Sequence, residues 1–175
     1  MAFSRLFRTK VKPEVLAKDL FQSMVIGDMD GFCKAEVTQC RQVSQIDEAA
    51  FNQILYVYLA SVVAIALTSM AEKNRAFKDV ISHFRMKVLQ EATDRWNMTE
   101  DALDREVEQA SDNLAQLIFT DPKEQPGLDF DWSTKWLQLF GAVEESNPIT
   151  LFKIAFKWKN SFLHLRKMLD GFKIG

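Results

Sequence analysis

A chain of 175 residues, 47% hydrophobic and 26% charged with only six Gly and four Pro, has an ordinary globular composition that excludes disorder as its ground state. At that length it buries about 70% of its unfolded surface, enough for one sizeable core without disulfides or a structural metal. The net charge of −2 is a balance of unlike parts: residues 1–12 carry four cations and no acid, residues 149–175 carry six cations and one acid, and residues 13–148 carry twelve cations against twenty-three acids.

An acidic body with basic ends follows. Either the ends fold back onto the body or they meet an external anionic partner. This distribution argues against nucleic acid as a partner, since the body repels phosphates and only the ends supply a basic footprint.

The opening stretch MAFSRLFRTKVK has no continuous apolar run and no small-residue cleavage site, so it does not read as a secretory signal. Its Arg5, Arg8, Lys10 and Lys12 fit a basic amphipathic or transit-like segment equally well, and we treat residues 1–12 as a basic N-terminal segment preceding a single helical domain at 13–175. Pro13 at a first helical position, with Leu16, Leu20 and Met24 at four-residue spacing, predicts a helix ending near Gly27. GDMDG at 27–31 reads as a turn. Asp28 and Asp30 have the first spacing of a calcium loop, but Phe32 stands at the third ligand position and Gly31 comes too early.

A helix over 31–42 places Phe32, Cys40 and Val43 on one side. Cys33 and Cys40, seven apart on that helix, have Cα atoms about 10 Å apart, beyond disulfide reach. Free, buried thiols and a cytoplasmic location are expected, with membrane association as the alternative. The next helix starts at Ser44-x-x-Asp47, close to a capping box, and runs to about Asn74. From Ala49 to Ala71 it carries twenty-three residues without a charge. That is long enough to cross a bilayer, yet Asn52, Gln53, Ser61, Thr68 and Ser69 lie inside it and acids flank both ends. Because the remaining helices carry apolar stripes that need a surface to pack on, the expectation is a central core helix, with Ala60, Ala64 and Ala66 admitting close neighbours.

A helix over 75–96 aligns Phe77, Val80, Ile81, Phe84, Val88 and Ala92, with Asp79, His83 and Lys87 opposite. One beginning at Thr99 aligns Leu103, Val107, Ala110, Leu114 and Leu117. Along it Glu100, Asp104, Glu108 and Asp112 recur every four residues, and such like-charge neighbours are mutually destabilising. A solvated outer face explains the pattern, as does a nearby basic element, for which the N-terminal segment or the last helix are the candidates. A loop at 120–131, marked by Asp121-Pro122 and Pro126-Gly127, precedes a short helix with Trp132, Trp136, Leu137 and Phe140 that ends near Gly141. Asn147-Pro148 opens the last helix, to about residue 170. No stretch alternates as a strand would, and the fold class is all-α: a bundle or orthogonal array of about six helices around one apolar central helix.

Chemistry is sparse. With two histidines, preceded three residues earlier by Val80 and Ser161, the Glu-x-x-His pattern of di-iron bundles is missing. Asp79 and His83, one turn apart, fall on a wet face where an ion pair is the ordinary outcome. No phosphate loop, zinc-spaced set or nucleophile elbow is present, and no catalytic residue, metal ligand or cofactor is assigned.

The last helix offers more. Projected at about 100° per residue, Leu151, Ile154, Ala155, Trp158, Phe162, Leu165 and Leu169 fall on one arc. Phe152, Phe156 and Leu163 fall on a second, set apart by Lys159 and Arg166 and bounded on its far side by Lys167. Either the second arc buries against another helix of the chain, or it is an aromatic docking stripe with a cationic rim. Phe152, Phe156, Lys159, Leu163 and Arg166 are therefore the candidate interface. The expected function is a non-enzymatic helical interaction module, adaptor or regulatory, that binds another protein or itself; the alternative is a protein that binds a hydrophobic ligand or an anionic membrane surface. A large Phe-lined cavity would favour the ligand, an exposed apolar patch the protein partner.

Overall fold

The computed structural model describes residues 9–27, 29, 48–121, 123–139 and 148–175. Among them are six α-helices and two three-residue strands: β1 (Thr9–Val11), α1 (Pro13–Leu20), α2 (Glu48–Lys73), α3 (Phe77–Trp96), α4 (Glu100–Phe119), α5 (Leu128–Gln138), α6 (Pro148–Leu169) and β2 (Phe172–Ile174). The expected helix at 31–42, both cysteines, the acids of 28–30, Phe140 and Gly141 lie outside the described residues.

The expected all-α bundle is the architecture found. α2 is its centre, and it packs against α3, α4 and α6. Residues 55–63 of α2 are buried without a break, which over more than two turns means that the helix is covered on every side. Ala60 and Ala66 are fully buried among the neighbours, whereas Ala64 is half-buried. The hydroxyl of Ser61, buried in this apolar setting, is satisfied by the carbonyl of Val57 at 2.8 Å, with that of Val107 on α4 at 3.2 Å. α2 is long and apolar enough to cross a membrane, but most of it is buried inside the protein.

α1 departs from the sequence reading in its second half. Pro13 stands at its start as expected, and Leu16, Ala17 and Leu20 are buried. From Phe21 to Ile26 the backbone continues as a π-helix, in which the hydrogen bonds span five residues. Val25 therefore takes the buried position expected for Met24, which is only half-buried. Gly27 stays right-handed helical, so the chain does not turn there.

Between α3 and α4 the link is short. Asn97, at φ 53° and ψ 34°, ends α3 in the left-handed conformation, and its N–H donates to Ala92 and Thr93. Thr99 then caps α4, its Oγ1 accepting from the N–H of Ala102 at 3.3 Å. The loop after α4 is also shorter than the sequence suggests, because α5 starts at Leu128 and not at Trp132. Gly127 supplies the entry at φ 88°, a conformation that side chains rarely adopt, which brings Asp129 and Asp131 into the first helical turn.

The two strands were not expected. They pair in parallel, with Thr9 opposite Phe172, Lys10 opposite Lys173 and Val11 opposite Ile174. Parallel neighbours need a long crossover, and here the whole helical body supplies it. Three residues are too few for an alternation to register in the sequence. The described basic ends thus fold against each other, bringing Lys10 beside Lys173.

Candidate interaction face on the last helix

All seven residues of the first α6 arc are buried, from Leu151 to Leu169. What holds them is aromatic and polar at once. Trp158 packs edge-on against Trp136 of α5, ring centroids 5.7 Å apart, and lies 5.9 Å from Tyr58 of α2. Phe162 meets Phe119 at the end of α4 at 5.3 Å and 84°. The buried hydroxyl of Ser133 donates to the carbonyl of Leu151 at 2.7 Å, tying α5 to the first turns of α6. In the same cluster burial pushes the Tyr58 phenol above its usual ionisation range.

With one arc clamped, the other is left facing out. Phe152, Phe156 and Leu163 are 47%, 52% and 56% exposed. Phe152 and Phe156 stack on one another. Ile149, 65% exposed, stands at the head of the same row, a member the sequence reading left out although its three-residue spacing to Phe152 is the signal that places it there. Among the described residues, no helix of the chain buries this arc.

The two basic members of the candidate interface differ from the simple rim expected. Lys159 is largely buried and its ammonium pairs with Asp129 of α5, so it fastens α6 to its neighbour. Arg166 is half-buried and, among the described residues, makes no ion pair. Lys153 and Lys167 are exposed beside the apolar row on its other flank.

The acidic stripe of α4 has its basic neighbour elsewhere than expected. Arg85 of α3 bridges Glu100 at 2.7 Å and Asp104 at 2.5 Å; among the described residues neither the N-terminal segment nor the last helix does so, and Arg5 and Arg8 lie outside them. Its hydrogen bonds to Asp104 and then Glu100 hold the guanidinium even more firmly charged than usual. Among the described residues no cation pairs with Glu108 or Asp112.

Two neighbouring hollows open between α2, α4 and α5. One of about 370 Å³ is lined by Gln53, Ile54, Tyr58, Glu106, Gln109 and Asn113 among others. The next, about 230 Å³, shares Tyr58 and Asn113 and adds Gln116, Asp131 and Lys135. No Phe lines either one; a third hollow of about 350 Å³ between α2 and α4 has Phe119 beside Ala64, Ile65, Thr68, Glu72 and Asp112, so none of the three is lined chiefly by Phe. Asp79 is exposed and His83 half-buried on α3, and among the described residues no three of His, Cys, Asp and Glu converge as a metal ion requires. Compared with protein families, curated proteins and solved structures, the chain matches none of the three.

Proposed function

We propose that this protein is a non-enzymatic helical interaction module, an adaptor or regulator of the cytoplasm, which receives another protein along the outer face of α6. The observation that carries this reading is the division of α6 into a fully buried arc and a row of exposed large apolar side chains, Ile149, Phe152, Phe156 and Leu163. Monomers rarely leave such a row uncovered without use. Burying a Phe completely is worth about 1.5–3 kcal/mol, so covering two half-exposed rings contributes roughly half of that for each.

The test is Phe156→Ser, with the melting temperature measured beside association, read as solution mass and as the set of proteins retained by immobilised chain. Unchanged melting with lost association supports the reading. A large loss of melting temperature with association intact would assign the row to folding. The alternative of a hydrophobic-ligand or membrane-surface protein draws on the same row and its lysines, and it is the reading to adopt if Phe156→Ser removes lipid from the purified chain and leaves its protein contacts alone.

A further inference from the structure

We infer that the occupant of the α6 face is an acidic amphipathic helix of a different protein, an inference that rests on the interaction-face reading above. Between Pro148 and Leu169, α6 carries Lys153, Lys157, Lys159, Arg166 and Lys167 and not one acid. Lys159 is neutralised from within by Asp129. In projection Phe152, Leu163 and Phe156 fall within about 40° of one another, and Lys153 and Lys167 within roughly 60° of Phe156. An apolar file with ammonium groups along one flank is the complement of a helix that presents a file of Leu, Ile or Met flanked by Glu and Asp.

The reach is that of a short helix. From Ile149 to Leu163 the row climbs about 21 Å, and its spacings of three, four and seven are those at which a second helix meets α6 along one seam. A second copy of the chain fits worse. A two-fold contact centred on this face sets the cations of one α6 against those of the other, with no acid on α6 to intervene. An anionic membrane fits worse too, because the apolar file is one side chain wide and residues 13–148 hold twenty-three acids against twelve cations, which an anionic surface repels.

Two synthetic helices test this, identical in a Leu seam at heptad positions a and d, one with Glu and the other with Lys at e and g. Binding to the full chain is read by fluorescence anisotropy at low and high salt. The Glu helix is expected to bind about tenfold or more tighter than the Lys helix, and the gap to narrow as salt rises. Phe156→Ser, or Phe152→Ser should the first variant melt early, is expected to weaken the Glu helix about tenfold. The double variant Lys153→Glu with Lys167→Glu, both at exposed positions, is expected to reverse the preference. Equal binding of the two helices overturns the acidic partner and leaves the interaction face standing. Binding of neither helix overturns the partner; if in addition the chain sediments as a dimer that Phe156→Ser dissociates, the occupant is a second copy. Binding to phosphatidylserine vesicles, with neither helix bound, overturns both the partner and the protein-interaction reading in favour of a membrane.

Discussion

Phe152 stacks on Phe156 one turn further along α6, ring centroids 5.8 Å apart and planes 18° from parallel, while both rings stand about half in solvent. Phe162 on the opposite arc of the same helix is 1% exposed. Equal chemistry in unequal settings gives a clean contrast. Phe162→Ala is expected to cost about 3–5 kcal/mol and Phe156→Ala no more than about 1 kcal/mol in urea unfolding, because only the first leaves a cavity. Similar losses for the two would mean that the outer row is core.

Along α4 the sign of an effect is the test. Asp104 bonds Arg85, so Asp104→Asn is expected to destabilise by about 0.2–1 kcal/mol at low salt, a small effect because both side chains are half exposed. Glu108 stands between Asp104 and Asp112 with no ion pair to a described cation, so Glu108→Gln is expected to stabilise by about 0.2–0.5 kcal/mol. Both effects shrink as salt is added. Denaturation at two ionic strengths separates them, and a destabilising Glu108→Gln would mean that a further cation pairs with Glu108.

Alkali should unfold the protein through its tyrosines. The Tyr56 hydroxyl donates to the carbonyl of Val88 at 2.8 Å, and burial, with the charge of Glu91 adding to it, raises its ionisation well above 10.0. Below pH 10 the phenol is neutral in folded and unfolded chains alike, and the hydrogen bond contributes in full. Above it the unfolded chain ionises first and binds fewer protons, so stability falls as pH rises. Tyr56→Phe is expected to cost about 1 kcal/mol at neutral pH and to flatten the alkaline decline, followed by phenolate absorbance and circular dichroism. Tyr58, buried and shifted in the same direction, leaves a residual slope.

Gly127 tests the entry into α5. A Cβ there meets nothing within 4 Å, so any cost of Gly127→Ala is conformational, from its φ of 88°. Destabilisation of about 1 kcal/mol is expected, with Gly127→Asn milder because Asn tolerates the left-handed region. Thermal melts of the two variants, compared with the parent chain, decide it.

The burial of α2 carries a prediction about handling. A helix mostly covered by α3, α4 and α6 has little apolar surface left to offer lipid, and the purified chain is expected to stay monodisperse without detergent. Light scattering in plain buffer checks this. Aggregation cured only by detergent would mean that α2 leaves the bundle for a membrane.

By itself the sequence determined what is local or strictly periodic. An uncharged run from Ala49 to Ala71 predicted a helix surrounded by others, and seven apolar residues at helical spacing named the whole buried arc of α6, because the hydrophobic effect acts on side-chain pattern wherever a neighbour is present to receive it. Caps and breakers such as Thr99, Pro13 and Pro148 are equally local. Only the tertiary structure decided which neighbours exist. It left the second arc of α6 exposed among the described residues, gave Lys159 to Asp129, supplied Arg85 to Glu100 and Asp104, and paired Thr9–Val11 with Phe172–Ile174, all relations between residues distant in the chain. The π-helix at Phe21–Ile26 belongs with them: a fixed period of 3.6 points to Met24, but the wider turn, packed against α2 and α3, buries Val25.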